Sequence, residues 1–453
     1  MVEGKRISVK GRRWKILSPS LPLSDGRAFI RRLLENRGFP PGEVDRFLAA
    51  DRSLCADPFL LPDMEKAVRR IAKAISSGER IAIWGDFDAD GLTAAALLLE
   101  GLRELGGDVL YHIPHYLSEG HGLNARFLEA LKKQGVKLVI TADCGTSNRE
   151  EVAYAGNLDL EMIITDHHRI TSELPGALAV INPHRADSRY PFADLAGVGV
   201  VYKLLEALYA TFGRPSDFED KLDLVALGTM ADLVPLVGEN RYFAKRGGEK
   251  LENSRRPGIR ELISLLKCEE IPLYLAFCLD TIGRTDFASL GVELLITRDE
   301  RKAWKLASFV RDQGSERRKV MLENLNSIKE RLTASSPILI AEGDFPPGIL
   351  GSLASLLAFE FQRPAVVIKL YPEICNGSGR SFPYFNLLEA LSECADILEQ
   401  FGGHPTAVGF TIRRSKLDLL RERLHVIAQR KLSELGPPEL AIDAELPLEA
   451  LNE

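Results

Sequence analysis

The segment 81–91, which reads IAIWGDFDADG, constrains the fold more than any other part of the chain. Its apolar first half, residues 81–84, predicts a strand that is buried on both faces of a sheet. A helical pattern follows at residues 92–105. In an open α/β sheet, ligands bind where the chain leaves the carboxyl end of a strand for a helix. Three aspartates and a glycine occupy that position here: Asp86, Asp88, Asp90 and Gly91.

The three aspartates predict a metal site. Carboxylates at alternate positions repel one another unless a cation neutralises them. An acidic turn or a helix cap would explain one aspartate, but not three beside a glycine. We therefore expect a hard divalent metal ion, whose remaining ligands come from elsewhere in the chain.

Strand and helix patterns alternate along the next hundred residues. Further strands are predicted at residues 109–113, 138–141, 162–165 and 179–181, with Asn124 capping a helix between the first two. This alternation predicts an α/β fold with a doubly wound, mostly parallel sheet. Asp143 and His167 follow two of these strands directly, so we expect them at the same edge as Asp88 and Asp90.

A largely helical region and a second α/β unit follow. Asp232 comes where a predicted helix at residues 221–230 stops, in an otherwise apolar stretch, and a buried aspartate needs a partner or an ion. Residues 301–331 predict a long, exposed connecting helix. The second unit contains two glycine-rich segments, GSGRS at 377–381 and FGGHP at 401–405. Glycines that let backbone N–H groups approach, next to Arg and Ser, suit an anion such as phosphate.

Composition limits the class of protein. The chain of 453 residues is 45% hydrophobic and 27% charged, as expected of a soluble protein with roughly two to four domains at about 150 residues each. Its six cysteines form no CxxC pair, which favours a reducing compartment, and we expect a cytoplasmic protein without a membrane span. The net charge of −6 does not indicate a nucleic-acid binder, although a basic groove can exist locally. The N-terminal basic cluster is either a phosphate-contacting arm or a solvated extension: Lys5, Arg6, Lys10, Arg12, Arg13 and Lys15.

The four motifs DFDADG, ADCG, DHH and ADLVP together supply oxygen and imidazole ligands for two Mn²⁺ or Mg²⁺ ions about 3.5–4 Å apart. With the downstream GGH, this set resembles the DHH phosphoesterase superfamily, in the branch with a DHHA1 second domain. Longer segments at 190–199 and 224–240, with Gly283-Arg284 and 377–381, resemble the RecJ single-strand exonuclease family within it.

The RecJ resemblance implies 5′→3′ hydrolysis of single-stranded DNA in repair and recombination. It implies a monomer that works with a single-strand-binding protein and a helicase. The implied metal ligands are Asp86, Asp88, Asp90, Asp143, His167 and Asp232, with Asp143 bridging the ions, Asp86 supporting or adding to the set, and His168 facing the scissile phosphate. The implied phosphate contacts are Arg284, Ser378, Arg380, Ser381 and His404. We expect an N-terminal extension at 1–55, a DHH domain with a helical insert at 56–299, a connecting helix at 300–336, a DHHA1 domain at 337–436 and a tail at 437–453.

The sequence departs from the RecJ pattern in four places. Tyr116 stands where the family has an arginine that helps to hold a 5′ phosphate, and His121 replaces an aromatic residue. The loop that usually reads Trp-His-x-Gly reads FPPG at 345–348, and the sequence ends at Glu453, near where an OB-fold would begin. These departures concern end recognition, strand affinity and processivity.

Two other functions remain open. One is a phosphoesterase acting on short oligonucleotides or small nucleotides, although its relatives lack the long helical insert at about 195–300. The other is a non-catalytic replication scaffold that has lost its metal ions, against which the intact set of aspartates and histidines argues. The sequence does not distinguish DNA from RNA as the preferred strand.

Overall fold

The computed structural model describes residues 8, 13–18, 26–116, 118–120, 122–170, 173–214, 218–266, 271–332, 336–346, 348–434 and 439–445. Its backbone divides into two compact units. The first unit is Glu43–Ser315, and the second unit combines Met1–Gly42 with Glu316–Glu453. No helix within the described residues is both long enough and apolar enough to span a membrane.

The strands are numbered in chain order. They are β1 Arg13–Ile16, β2 Arg80–Gly85, β3 Asp108–His112, β4 Val136–Ala142, β5 Glu161–Thr165, β6 Ala179–Ile181, β7 Leu339–Gly343, β8 Ala365–Lys369, β9 Ile374–Arg380, β10 Leu398–His404, β11 Ala407–Arg413 and β12 Glu439–Ile442.

The helices are numbered in the same way. They are α1 Gly26–Asn36, α2 Val44–Ala49, α3 Met64–Ser76, α4 Ala89–Glu104, α5 Ala125–Lys133, α6 Arg149–Asn157, α7 Gly197–Thr211, α8 Leu222–Ala231, α9 Gly238–Tyr242, α10 Gly248–Glu252, α11 Pro257–Leu266, α12 Ile271–Gly283, α13 Ala288–Ile296, α14 Glu300–Lys329, α15 Leu350–Phe361, α16 Leu387–Ser392 and α17 Leu417–Glu434. A π-helical turn, Phe243–Gly247, joins α9 to α10.

The sheet of the first unit has the strand order β3-β2-β4-β5-β6, and every pairing in it is parallel. Alternate residues of β2 pack into different cores. Ile81 and Ile83 join the cluster that includes α3, α4 and α7, whereas Ala82 and Trp84 join the cluster on α5 and α6. The sheet is therefore covered on both faces, which confirms the prediction of a doubly wound α/β fold.

The helix α4 is central to this unit. Every residue from Ala89 to Leu99 is buried, because the helix packs against the sheet on one side and against α7, α8 and α13 on others. Gly101 allows this close packing, since a Cβ there would lie 2.6 Å from Leu205. The predicted cap of α5 is confirmed, because the Asn124 side chain accepts a hydrogen bond from the Arg126 N–H.

The second unit is built on a mixed sheet with the order β10-β11-β9-β8-β7. Only β7 and β8 pair in parallel among the described strands of that sheet. A further parallel pairing joins β1 to β12, where Glu439 forms ion pairs with Arg13 and Lys15. The remaining members of the predicted basic cluster, Lys5, Arg6, Lys10 and Arg12, lie outside the described residues.

Both glycine-rich segments of the second unit lie in strands. Residues 377–380 belong to β9, whose backbone pairs with β8 and with β11. A Cβ at Gly377 would lie 2.1 Å from the Phe410 ring, and a Cβ at Gly379 would lie 2.5 Å from Leu387. The glycines of β9 therefore make room for neighbouring side chains, and the sheet uses their backbone on both sides, so the expectation of open N–H groups is wrong at 377–379. Gly402 lies in the edge strand β10, where a Cβ would meet nothing within 4 Å, and the expectation for 401–405 stays a prediction.

Candidate metal centre

Three aspartates follow neighbouring strands at the carboxyl edge of the parallel sheet. Each continues the ladder by one hydrogen bond: the Asp86 N–H donates to Ala142 O at 3.1 Å, the Asp143 N–H to Thr165 O at 3.0 Å, and the Asp166 N–H to Ile181 O at 3.1 Å. The sheet thus fixes the backbone of all three residues. Because the strands are parallel, their side chains emerge at one edge.

Asp143 is held in an uncommon conformation. Its φ of 68° lies in the left-handed region, which costs energy for a residue with a Cβ and often marks a functional position. The carboxylate is buried, and its Oδ1 atom accepts no hydrogen bond within the described part of the chain. Gly197 makes room for it, since a Cβ there would lie 2.3 Å from that oxygen. A buried carboxylate oxygen that accepts no hydrogen bond is costly unless an ion binds it.

The start of α4 carries the next two aspartates. Asp88 is the N-cap of the helix and accepts a hydrogen bond from the Gly91 N–H at 2.9 Å. Asp90 accepts hydrogen bonds from the Gly197 and Val198 N–H groups, at 2.6 and 3.0 Å. These two donors open α7, so the sequence after the DHH motif positions Asp90 through a helix N-terminus.

His167 and Asp232 complete the cluster. The His167 Nε2 atom lies 3.2 Å from Asp143 Oδ1 and 3.6 Å from Asp232 Oδ2. Asp232 follows the last residue of α8, where the sequence predicted that the helix stops. The helical region of the first unit therefore supplies a group to the edge of the sheet.

The predicted ligands, together with His168, form three overlapping groups. Within each group, one donor atom per residue lies within 4.8 Å of the others: Asp86, Asp88 and Asp143; Asp90, His167 and Asp232; and Asp143, His167 and His168. Asp143 and His167 each belong to two of the groups. The donors are carboxylate oxygens and imidazole nitrogens, a set that suits Mn²⁺ or Mg²⁺. These residues thus fit a divalent metal centre.

The electrostatics of the apo cluster point the same way. Burial first, and then the charges of neighbouring aspartates, raise the pKa of Asp88 to about 7 and the pKa values of Asp90 and Asp143 well above the ordinary range. Burial also raises the pKa of Asp232 to about 6 and lowers that of His167 to about 4. Among the described residues, no lysine or arginine forms an ion pair with Asp88, Asp90 or Asp143. The cluster therefore requires a cation to hold all its carboxylates ionised.

Asp166 organises the second histidine of the DHH motif, which the residue pattern alone did not reveal. The His168 Nδ1 atom lies 2.8 Å from Asp166 Oδ1, and the same oxygen accepts the N–H groups of His167 and His168. This bond raises the pKa of His168 to about 9. Burial alone would raise the pKa of Asp166, but its hydrogen bonds, first that with His168, hold it well below the ordinary value. The sequence feature that could have indicated this role is the position of Asp166 itself, the first residue of the DHH motif.

Arg284 lies in the first unit, next to the acidic loop. Its Nη1 atom is 3.4 Å from Asp280 Oδ1, and its guanidinium carbon is 5.9 Å from the centre of the Phe87 ring. This position brings a cation close to the predicted metal ligands without an ion pair to them.

The other predicted phosphate contacts lie in the second unit. Arg380 donates hydrogen bonds to Gly379 O and Ser378 Oγ, at 2.9 and 3.2 Å, and burial lowers its pKa. No acidic side chain pairs with it in the part of the chain that the structure describes. Ser381 uses its hydroxyl to bond Phe385 O, and His404 is an exposed residue at the end of β10. Arg380 is thus the group of this set whose surroundings most favour an anion.

Family models match both units. The model of the DHH family, N-terminal domain, matches residues 80–229, and the model of the DHHA1 domain matches residues 335–429. The single-stranded-DNA-specific exonuclease RecJ of Bacillus subtilis is 39% identical, in a match that covers 89% of this chain and 53% of that protein. The protein of the same name from Dickeya dadantii is 33% identical, with 96% and 82% covered. The chain thus spans about half the length of the Bacillus relative.

Solved structures show the same similarity. RecJ from Thermus thermophilus in complex with Mn²⁺ has a TM-score of 0.76 at 27% identity, over 96% of this chain and 64% of that one. Another exonuclease RecJ bound to manganese has a TM-score of 0.71 at 28% identity, over 84% and 98%. These structural neighbours hold a metal of the kind that the cluster fits.

Proposed function

The chain belongs to the RecJ family, as its residues predicted, and on that basis we propose that it is a metal-dependent 5′→3′ exonuclease that hydrolyses single-stranded DNA in repair and recombination. The observation that carries the proposal is the group of six predicted ligands at one edge of the sheet, among them the buried Asp143 Oδ1, which accepts no hydrogen bond from the described residues. Two relatives that are matched over most of their own length, 82% and 68%, are named single-stranded-DNA-specific exonucleases.

We propose that Asp86, Asp88, Asp90, Asp143, His167 and Asp232 hold two Mn²⁺ or Mg²⁺ ions, with Asp143 shared between them. When bound, such ions polarise a phosphodiester and activate water for in-line attack. In the metal-free protein the bond to Asp166 raises the pKa of His168, and we propose that this imidazole donates a hydrogen bond to an oxygen of the scissile phosphate. Arg284 offers a second cation beside the same loop, and Ser378, Arg380, Ser381 and His404 would contact phosphates further along the strand.

A polarity assay tests the proposal. Single-stranded DNA labelled at the 5′ or the 3′ end is compared with a single-stranded RNA and with a dinucleotide, with and without Mn²⁺. We expect the 5′ label to be released first as a mononucleotide, only with the metal, and the dinucleotide to be cut more slowly than the strand. Faster cleavage of the dinucleotide would support the short-oligonucleotide phosphoesterase instead, and metal-saturated protein that cuts neither substrate would support the scaffold.

Asp166 gives a prediction that separates orientation from metal binding. In Asp166→Asn the amide can still accept one hydrogen bond, but it no longer stabilises the charged His168. We expect kcat to fall about 10–100-fold, the usual effect of removing a group that orients a ligand or catalytic side chain. Steady-state kinetics in saturating Mn²⁺ checks this, with Asp187→Asn as the control, since Asp187 pairs with Arg185 at the surface. An unchanged kcat would contradict the role of Asp166.

Tyr116 gives a prediction about the strand end. Its ring packs edge-on against Phe87 at 5.0 Å, and tyrosine has no positive charge for a 5′ phosphate. His115 does not replace the missing cation freely, because its Nδ1 bonds Ser118 and its Nε2 bonds Asp286. Two other residues could substitute for the cation: His121, which lies outside the described residues, and Arg126, which is exposed in the first turn of α5. We expect a weaker preference for 5′-phosphorylated over 5′-hydroxyl ends than an arginine would give.

The variant Tyr116→Arg should enlarge that preference. The measurement is the ratio of kcat/KM for the two ends in wild type and variant at one salt concentration, since phosphate contacts are salt-dependent. Tyr116→Phe is the control, because it keeps the packing on Phe87 and adds no charge. If the wild type already prefers 5′-phosphorylated ends strongly and Tyr116→Arg does not increase that preference, another residue binds the 5′ phosphate.

The remaining expectations stay proposals. We propose a cytoplasmic location from the cysteine pattern, because free thiols are typical of a reducing compartment. The described cysteines are all free: Cys55, Cys144, Cys278, Cys375 and Cys394. A monomeric state and the participation of a single-strand-binding protein and a helicase are likewise predictions from the family.

A further inference from the structure

The last turn of α12 packs directly on the acidic loop that joins β2 to α4. Gly283 permits the contact, since a Cβ at this position would lie 1.6 Å from Phe87 O. One turn earlier, the Asp280 carboxylate accepts a hydrogen bond from the Ala89 N–H at 2.9 Å. A residue about 190 positions away in the sequence thus bonds the peptide between two predicted metal ligands, Asp88 and Asp90.

This hydrogen bond caps α4 from another element. The first N–H groups of a helix have no partner inside the helix. Asp88 satisfies the Gly91 N–H, and Asp280 satisfies the Ala89 N–H, so the two carboxylates share the task of ending the helix. Each bond restrains the backbone on which Asp88 and Asp90 are carried. The Asp280 bond ties this backbone to α12.

A negative charge is not needed for this bond, because the amide oxygen of an asparagine would also accept it. The charge has a cost, since Asp280 is among the acids that raise the pKa values of Asp88 and Asp232. Asp280 has a second neighbour, Arg284, one helical turn later. The Arg284 Nη1 atom donates a hydrogen bond to the Asp280 backbone O at 2.8 Å and lies 3.4 Å from the same carboxylate, whose charge adds to the hold on the guanidinium. Asp280 is 37% exposed and Arg284 28% exposed, so a phosphate from solvent can reach this pair.

We propose that Asp280 is a positioning residue of the site. Its carboxylate fixes the loop that carries Asp88 and Asp90 through the Ala89 N–H, and the same carboxylate, together with the Asp280 backbone O, holds Arg284 beside Phe87 until a phosphate of the strand binds the guanidinium instead. The second half of this inference rests on the proposed function, whereas the first half concerns metal binding alone.

The loop-fixing role is tested by Mn²⁺ binding to chelator-treated protein, measured by calorimetry. Asp280→Asn keeps an acceptor for the Ala89 N–H and removes the charge, and Asp280→Ala removes both. We expect Asp280→Ala to bind Mn²⁺ about fivefold more weakly than Asp280→Asn, the effect of one neutral hydrogen bond. Asp286→Asn is the control, because it also removes an acid close to the end of α12. The Asp286 side chain is 80% exposed and bonds His115 rather than the loop that carries the ligands. Equal Mn²⁺ affinity of Asp280→Ala and Asp280→Asn would overturn this role.

The Arg284-holding role is tested by the KM for single-stranded DNA. With the charge removed in Asp280→Asn, Arg284 no longer has to leave a carboxylate, and we expect KM to fall about threefold. The fall should vanish in an Arg284→Gln background, since the two residues act as a pair. A KM in Asp280→Asn that is unchanged, or that falls equally without Arg284, would overturn this role.

The two measurements keep the inference separate from the proposed function. Wild-type protein that binds Mn²⁺ but does not cleave the strand would refute the exonuclease, while the comparison of Asp280→Ala with Asp280→Asn would still decide the loop-fixing role. Thermal unfolding shows whether each variant is folded. If Asp280→Ala is unfolded, Asp280→Leu replaces it, because leucine removes the acceptor but keeps the side-chain volume.

Discussion

Replacing Asp143 with asparagine should abolish hydrolysis and raise the thermal stability of the metal-free protein. The side chain belongs to two of the three ligand groups, so its loss should remove the metal pair rather than one ion. In the absence of metal, the same substitution removes a carboxyl group whose ionised form is disfavoured first by burial and then by the charges of neighbouring aspartates, and this stabilises the folded state. Turnover in saturating Mn²⁺ and unfolding in the presence of a chelator measure the two effects.

Asp159 provides a matched control for Asp143→Asn. It also has a left-handed backbone conformation, with φ of 51°, but its side chain is 94% exposed and lies outside the ligand groups. Asp159→Asn should leave turnover and metal-free stability unchanged. If Asp143→Asn raises the free energy of unfolding of the metal-free protein by about 1 kcal/mol, its Tm should rise by about 2–4 °C in a domain of this size. Near-normal turnover of Asp143→Asn, or a fall in its metal-free Tm, would contradict the assignment.

The parallel sheet could be predicted from sequence because its strands are short apolar runs with clear ends. Predicted strands at 138–141 and 162–165 correspond to β4 and β5, and the acids follow directly after them. Once the strands are parallel, the carboxyl edge follows, and so does the clustering of residues that are far apart in sequence. This is why both Asp143 and His167 could be placed at the edge without a structure.

Contacts that depend on the relative placement of helices could not be predicted. The sequence pattern does not show that the N-terminus of α7 binds Asp90, or that Asp280 of α12 binds the Ala89 N–H. The glycines of β9 were misinterpreted for a similar reason. Whether a glycine serves a ligand or a neighbouring ring depends on what packs above it, and at Gly377 this is Phe410.

Replacing Arg380 with alanine should weaken the binding of single-stranded DNA while some turnover survives at high substrate concentration. The guanidinium is partly buried, and its hydrogen bonds go to Gly379 O and Ser378 Oγ rather than to a carboxylate. Burial without an acid disfavours the charge, as the lowered pKa indicates, and a phosphate would compensate for this. A hydrogen bond to a charged group contributes about 1.5–3 kcal/mol, which sets the expected loss of binding.

The salt dependence of binding distinguishes a phosphate contact at Arg380 from a structural role. If Arg380 contacts a phosphate, the slope of log K against log salt should fall by about one in Arg380→Ala. Arg380→Lys should restore the slope but only part of the affinity, because lysine carries the charge without the planar fork of donors. Arg413→Ala is the control, since Arg413 lies on the neighbouring strand β11 and pairs with Glu399 at the surface. Unchanged binding with lost turnover in Arg380→Ala would move this residue from strand binding to the reaction itself.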